Sequence, residues 1–301
     1  MITELKCRDI DLEKTFTCGQ CFRWKHRPNG SFAGAAAKRA AHIKYASGVI
    51  VIEEDSVTDT PENRADAERF WTGYFDLSRD YGKAREWLLA HDEKIGDAVK
   101  AGDGIRILKQ DLWETIVSFI ISQNNNIPRI QGCIEALAEL CGEKIPGSEL
   151  YSLPSPEVLS GMTPDALAPV RLGYRAPYLV AAAREYIKLR PLLEAEPSLQ
   201  GTPGTADIAG TGKALTAAEE YSLLLSLTGV GPKVASCISL FGLGRIESFP
   251  IDVWVRRVMH EVYGFDEGDM RGMKKYAEEH FGQYGGLAQQ YLFYFIRRQN
   301  M

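Results

Sequence analysis

The chain holds 301 residues, 45% of them hydrophobic, and carries a net charge of −5. That is the composition of an ordinary globular protein, with apolar content enough to build a core in one large or two ordinary domains. No apolar run is long enough to span a bilayer, and the N-terminal MITELKCRDIDLEK is charged where a signal peptide needs its hydrophobic segment, so neither a membrane protein nor an exported one is expected.

Residues 1 to about 55 read as strands. Cys21–His26 and Ser31–Ala36 flank Pro28-Asn29-Gly30, a strong hairpin turn, and IKYASGVIVIEE supplies two further strands. From Pro61 the pattern turns helical, through AERFWTGY and YGKAREWLLAHDEKIGDAVK, up to a seam at Ala101-Gly102-Asp103-Gly104. Beyond the seam almost everything reads as helix. Asp111 and Glu114 form a capping-box pattern ahead of a buried stripe of Leu112, Ile116, Phe119 and Ile120. Three asparagines, Asn124 to Asn126, end that helix and Pro128 begins the next; such a run is most often a helix terminus and turn. Residues 201 to 215 form a loop rich in Gly and Thr, and Thr216 with Glu219 opens another helix. The expected fold is therefore α+β: an N-terminal antiparallel β-sheet domain with helices over 1–104, packed on a mainly α-helical domain over 105–301.

The most informative stretch is LTGVGPKVASCISLFGLGRIESFPIDVWVRR, residues 227 to 257. It reads as a helix, a tight turn at Gly229, Val230 and Gly231, and a second helix opened by Pro232, whose fixed φ and missing N–H suit the first helical position. This is a helix-hairpin-helix, spanning 216–241. Its free N–H groups can hold a DNA phosphate without reading sequence. Lys233 falls in the first turn of the second helix, where the positive end of the dipole disfavours an ammonium and favours a nucleophilic amine. The plain alternative is a lysine that merely touches phosphate. Asp252, nineteen residues on, follows Phe249-Pro250-Ile251 and precedes Val253, Val255 and Val258, so it reads as the N-cap of a third helix. A rigid carboxylate beside Lys233 can also accept a proton or stabilise a cationic sugar transition state.

Net charge argues mildly against a nucleic-acid partner, yet Arg171, Arg175, Lys233, Arg256 and Arg257 gather around these motifs while the acidic run at 53–68 does not. Modest nonspecific affinity that weakens quickly with salt is expected. The six cysteines, at 7, 18, 21, 133, 141 and 237, have neither the density nor the spacing of a disulfide scaffold and read as reduced thiols, in keeping with an intracellular location in cytoplasm or nucleoid. Cys18 and Cys21 have no second CxxC partner for a zinc site, and no four cysteines cluster near the C-terminus for an iron–sulfur cluster. No metal or required cofactor is expected; a monovalent cation held by hairpin carbonyls would leave no trace in sequence.

The G-V-G-x-K hairpin followed by P-x-D-V resembles the catalytic core of the helix-hairpin-helix DNA glycosylases. FTCGQCFRW (16–24), FIISQNNNIPRI (119–130), LGYRAPY (172–178) and GGLAQQYLF (285–293) extend the resemblance, in order and over nearly the whole chain, to the 8-oxoguanine DNA glycosylase branch. The resemblance implies a bifunctional enzyme acting on duplex DNA with 8-oxoguanine opposite cytosine, working as a monomer. Lys233 would attack C1′ of the extruded nucleoside with Asp252 assisting, and β-elimination from the resulting Schiff base would cut the strand on the 3′ side.

By the same resemblance Cys237 and Phe293 would sandwich the purine and Gln289 would bond its Watson–Crick edge. The Gly19 carbonyl would accept the N7 hydrogen that 8-oxoguanine has and guanine lacks, a distinction of roughly 2 kcal/mol in a dry site. Asn124 would fill the gap left in the duplex, Tyr174 would wedge into the stack, and Arg129 and Arg175 would contact the orphaned partner base. From residue type alone these positions read as a core Cys, a core Phe, a surface Gln, a turn Gly, a helix-end Asn, a core Tyr and solvated charges. Two positions depart from the family pattern: Thr228 stands where a proline often precedes the turn, and Trp254 where a phosphate-binding histidine is usual, which leaves the nearby backbone contact open. A glycosylase for alkylated purines, which should lack the Gly19, Gln289 and Phe293 pocket, is the nearer alternative. A noncatalytic hairpin module for DNA binding is the remoter one.

Overall fold

The computed structural model describes residues 1–55, 57–194 and 215–299. The Gly- and Thr-rich stretch at 201–214 lies outside them. The N-terminal part is a five-stranded antiparallel sheet of β1 (Ile2–Lys6), β2 (Trp24–His26), β3 (Phe32–Ala36), β4 (Arg39–Ala46) and β5 (Val49–Glu53), in spatial order β1-β5-β4-β3-β2. Of the three hairpins, the expected one turns at Pro28-Asn29-Gly30, where Trp24 pairs with Gly34, and the others turn at Ala37-Lys38 and at Ser47-Gly48. Alternation turns Ile43, Ile50 and Ile52 inward, each fully buried.

Thirteen α-helices follow or interrupt the sheet. They are α1 (Leu12–Thr17), α2 (Pro61–Tyr74), α3 (Tyr81–His91), α4 (Gly96–Gly102), α5 (Leu112–Ser122), α6 (Ile127–Cys141), α7 (Pro156–Ser160), α8 (Arg175–Leu193), α9 (Ala217–Leu225), α10 (Pro232–Phe241), α11 (Val253–Glu261), α12 (Met270–His280) and α13 (Gly285–Gln299), among the described residues. One corrects the sequence reading: the segment expected as strand contains α1. Asp11 caps it by accepting from the Lys14 N–H, and Leu12, Thr15 and Phe16 turn inward at helical spacing. A short polar cap outweighs the strand tendency of its neighbours.

Two cores form. The sheet, α1 and α2 enclose Phe16, Trp24, Trp71, Tyr74 and Phe75, while α3 and α4 join the larger core of the helical body, which runs on to Ile296. Helices α4 and α13 pack so closely that a Cβ on Gly102 would lie 2.4 Å from the Tyr291 ring. Arg106, 1% exposed, ties the layers together by donating to the carbonyls of Phe75 and Asp76 and pairing with Asp9.

The expected capping box at Asp111 is half made. Asp111 accepts from the Glu114 N–H, but the Glu114 carboxyl reaches away to the Ala37 N–H of the sheet layer. The stripe is wider too, since α5 is buried from Leu112 through Ile121. Burial on all sides pushes the Glu114 carboxyl up to about 7, opposed by Arg23. At Thr216 and Glu219 the full box is present.

Candidate active site

Helices α9 and α10 are the two arms of the hairpin. Gly231 is the N-cap of α10, Pro232 occupies its first turn, and Val230 N–H closes the turn onto Leu227 O at 3.0 Å. Gly229 is required twice, because its φ of +83° is left-handed and a Cβ there would come 2.8 Å from Tyr178. Gly231 is extended, with nothing within 4 Å of a Cβ, so its backbone lies open to a ligand. Three long-range bonds hold the turn. Gln123 at the end of α5 donates to Gly229 O at 2.9 Å, and Thr228 donates both its N–H and its hydroxyl to the Glu185 carboxylate of α8. A proline at 228 has neither donor.

Asp252 is the N-cap of α11, accepting from the N–H groups of Trp254 and Val255 at 3.0 and 2.8 Å. Burial pushes its carboxyl above the ordinary value, opposed by those two N–H groups and by the charges of Lys233 and Arg256. No ion pair within 4.0 Å joins Lys233 to Asp252 among the described residues, although the lysine's charge is felt at the carboxyl. The Lys233 Nζ lies 5.2 Å from the centre of the Phe119 ring. Burial also pushes the Cys237 thiol up, with Lys233 opposing.

These groups open on one cleft of about 820 Å³, whose walls include Gly19, Lys233, Cys237, Asp252, Gln289 and Phe293. Asn124, Gly231 and Trp254 also line it. The Gly19 turn arrives from the N-terminal part and is locked by Gln20, whose side chain donates to Thr15 O and Arg106 O, accepts from the Leu108 N–H, and is 0% exposed. A smaller cavity of about 370 Å³ lies between the sheet, α2 and α5, beside Glu114.

The residues expected at the partner strand gather at one rim, outside that cleft apart from Asn124. Asn124 is exposed with a left-handed φ of +46°, Arg129 is exposed and reaches Arg171 O at 3.4 Å, and Tyr174 is 49% exposed. Arg175 corrects its reading as a solvated charge. Only 4% exposed, it donates to the carbonyls of Leu172, Gln123 and Asn124 and stacks on Tyr174 at 4.5 Å. Tyr174 in turn is no core residue, and its hydroxyl reaches Gln123 O at 3.3 Å. Gln123 is thus the hub that joins hairpin and rim. The motif reading passed over it, and its place just before the three asparagines was the available signal.

Among the described residues, no three His, Cys, Asp or Glu side chains gather where they could hold a metal ion, and Cys18 is buried with its thiol pushed up to about 12. No helix among them is long and apolar enough to cross a membrane.

Residues 3–116 match the family model of the 8-oxoguanine DNA glycosylase N-terminal domain, and residues 117–283 match that of the HhH-GPD superfamily of base excision DNA repair proteins. An N-glycosylase/DNA lyase of Saccharomyces cerevisiae is 30% identical, over 85% of this chain and 69% of its own. A protein of Methanothermobacter thermautotrophicus named "Probable N-glycosylase/DNA lyase" is 29% identical, over 97% of this chain and 95% of its own. The 8-oxoguanine glycosylase/lyase of Clostridium acetobutylicum, solved with double-stranded DNA containing cytosine opposite 8-oxoguanine, superposes with a TM-score of 0.83 at 32% identity, covering 100% of this chain and 99% of that one. The chain belongs to the HhH-GPD superfamily of base excision DNA repair proteins, in the branch that carries the 8-oxoguanine DNA glycosylase N-terminal domain.

Proposed function

We propose that this chain removes 8-oxoguanine from duplex DNA and then cuts the strand at the vacated sugar. It is a DNA glycosylase with lyase activity, as its curated relatives are named. The observation that carries the site assignment is the placing of Lys233, Asp252, Cys237 and Phe293 on the walls of one cleft large enough for a purine.

The Lys233 amine, unprotonated, attacks C1′ of the extruded nucleoside as the N-glycosidic bond breaks and the base leaves with the bonding electrons and takes up a proton. Positive charge building on the sugar faces the Asp252 carboxylate, which two backbone N–H groups hold in place. Ring opening yields the Schiff base, loss of a C2′ proton to solvent expels the 3′ phosphate, and water then hydrolyses the C=N bond, which restores the Lys233 amine and releases the product. Amine, carboxylate, water and substrate balance the reaction with no cofactor. Cys237 and Phe293 stack on the base, Gln289 bonds its edge and the Gly19 carbonyl selects the N7 hydrogen. The hairpin backbone at Gly229, Val230 and Gly231 holds a phosphate. Asn124, Arg129, Tyr174 and Arg175 support the duplex opposite the lesion, where cytosine is the preferred partner; for Arg175 this requires exchanging carbonyl bonds for base contacts. The chain acts as a monomer inside the cell, wherever its DNA is kept.

Borohydride trapping on a duplex bearing 8-oxoguanine tests the reading. A covalent adduct forms with the wild type and none with Lys233→Gln. No adduct with the wild type, or equal trapping by the variant, would rule it out.

A further inference from the structure

Beside Gln289 in α13 stands a second amide, and the two are bonded to each other. Gln290 Nε2 donates to Gln289 Oε1 at 2.7 Å, with the residues 3% and 4% exposed. Gln290 Oε1 is buried with no hydrogen-bond partner. Buried carbonyl oxygens are seldom left that way, because losing water without gaining a bond is unfavourable. Gln290 also lines the cleft that holds Lys233 and Phe293. One face of its amide is thus committed to a neighbour, and its acceptor has no partner in the wall of a chamber sized for a base.

We infer that Gln290 Oε1 determines specificity by accepting a hydrogen bond from the extruded base, namely from the amino group at C2 of a guanine-type edge. This rests on the 8-oxoguanine reading above and deepens it. The bond from Gln290 turns the Gln289 oxygen away from the guest and leaves the Gln289 N–H groups to face it. Together the pair offers a donor beside an acceptor. A guanine-type edge carries its carbonyl at C6 and its N–H donors at N1 and C2, which matches. An adenine-type edge carries an amino group at C6 and only a C–H at C2, so the Gln289 donor meets another donor and Gln290 Oε1 gains no bond. A hypoxanthine-type edge lacks only the C2 amino group and would leave Gln290 Oε1 as unpaired as it is in the empty cleft. Sites built to bond a polar group reject analogues that lack it.

Single-turnover excision of 8-oxoguanine and of 8-oxohypoxanthine, each opposite cytosine in otherwise identical duplexes, tests the assignment through the ratio of the two rates. The wild type should favour 8-oxoguanine by about tenfold or more, the worth of one buried bond. Gln290→Met, of similar size with no acceptor, should bring the ratio close to one, because loss of the bond to Gln289 slows both lesions alike while only 8-oxoguanine also loses its bond at C2. Gln290→Glu keeps an acceptor but loses the N–H that holds the Gln289 oxygen, so it should slow both lesions while the ratio stays well above one. If Gln290→Met merely packs badly, both lesions slow together and the ratio stays at the wild-type value, which overturns the inference. Should Gln290→Met fail to fold, the wild-type ratio still decides, since a value near one overturns it as well. A wild type inert on both lesions overturns the proposed function, whereas one that excises both equally overturns only the role of Gln290.

Discussion

Gly19 and Phe293 meet in the wall of the cleft that also holds Lys233 and Asp252, so closely that a Cβ on the glycine would stand 3.3 Å from two atoms of the phenyl ring. One comes from the turn after α1 and the other from the last helix, and Gly19 holds a left-handed φ of +81°. The backbone angle favours glycine, and the contact leaves a side chain little room.

Gly19→Ala should therefore impair the pocket more than the fold. The left-handed backbone costs an alanine about 1 to 2 kcal/mol, and the ring must shift by a few tenths of an ångström. Excision of 8-oxoguanine should fall about tenfold or more while trapping on a preformed abasic site falls less, which gel assays on the two duplexes compare. Equal losses on both would refute a role confined to the base.

Asp252→Asn separates charge from capping. Asparagine caps a helix about as well as aspartate, so the melting temperature should move by only a few degrees. Single-turnover base excision should fall by about a hundredfold, because the sugar cation loses its counter-charge. Since burial holds the folded carboxyl above its unfolded value, the aspartate lowers stability as pH rises through that interval. The asparagine variant should gain on the wild type above it.

Glu114→Gln reports the buried carboxyl under the sheet. Its value of about 7 in the folded chain, against 4.5 unfolded, means that the folded state binds the proton more tightly. Stability is then fully present below pH 4.5 and is lost as pH climbs through about 7. Urea unfolding of the wild type between pH 5 and 8 should show a decline of up to about 3 kcal/mol, and the glutamine variant should show a much smaller one. Parallel pH curves for the two proteins would disprove this.

Thr228→Pro would restore the common family residue at the cost of both bonds to Glu185. The two donors act on one carboxylate at 2.6 and 2.7 Å. Their loss should destabilise the chain by about 2 kcal/mol and loosen the turn that presents Gly229 to Gly231. Thermal melts and the affinity for an undamaged duplex at two salt concentrations check both effects. A variant as stable as the wild type would show that Glu185 holds nothing that matters.

The hairpin, its proline, and the caps at Asp252 and Thr216 were legible in sequence, because each is a short-range device in which one residue's backbone angle or oxygen answers N–H groups two or three positions away. Lys233 and Asp252 were each legible at the opening of a helix for the same reason, although the nineteen residues between them lie beyond any such local device. Packing decided the rest. Nothing local tells that Gly19 faces Phe293, that Glu185 rather than a proline steadies Thr228, that Arg175 is buried among carbonyls, or that Glu114 abandons its own helix for the Ala37 N–H. Those pairings join residues that lie dozens to hundreds of positions apart, and they exist only once two cores have closed. Residue type and spacing thus singled out the candidate groups, while tertiary packing decided which of them share a cleft, since burial and partner choice belong to the folded whole.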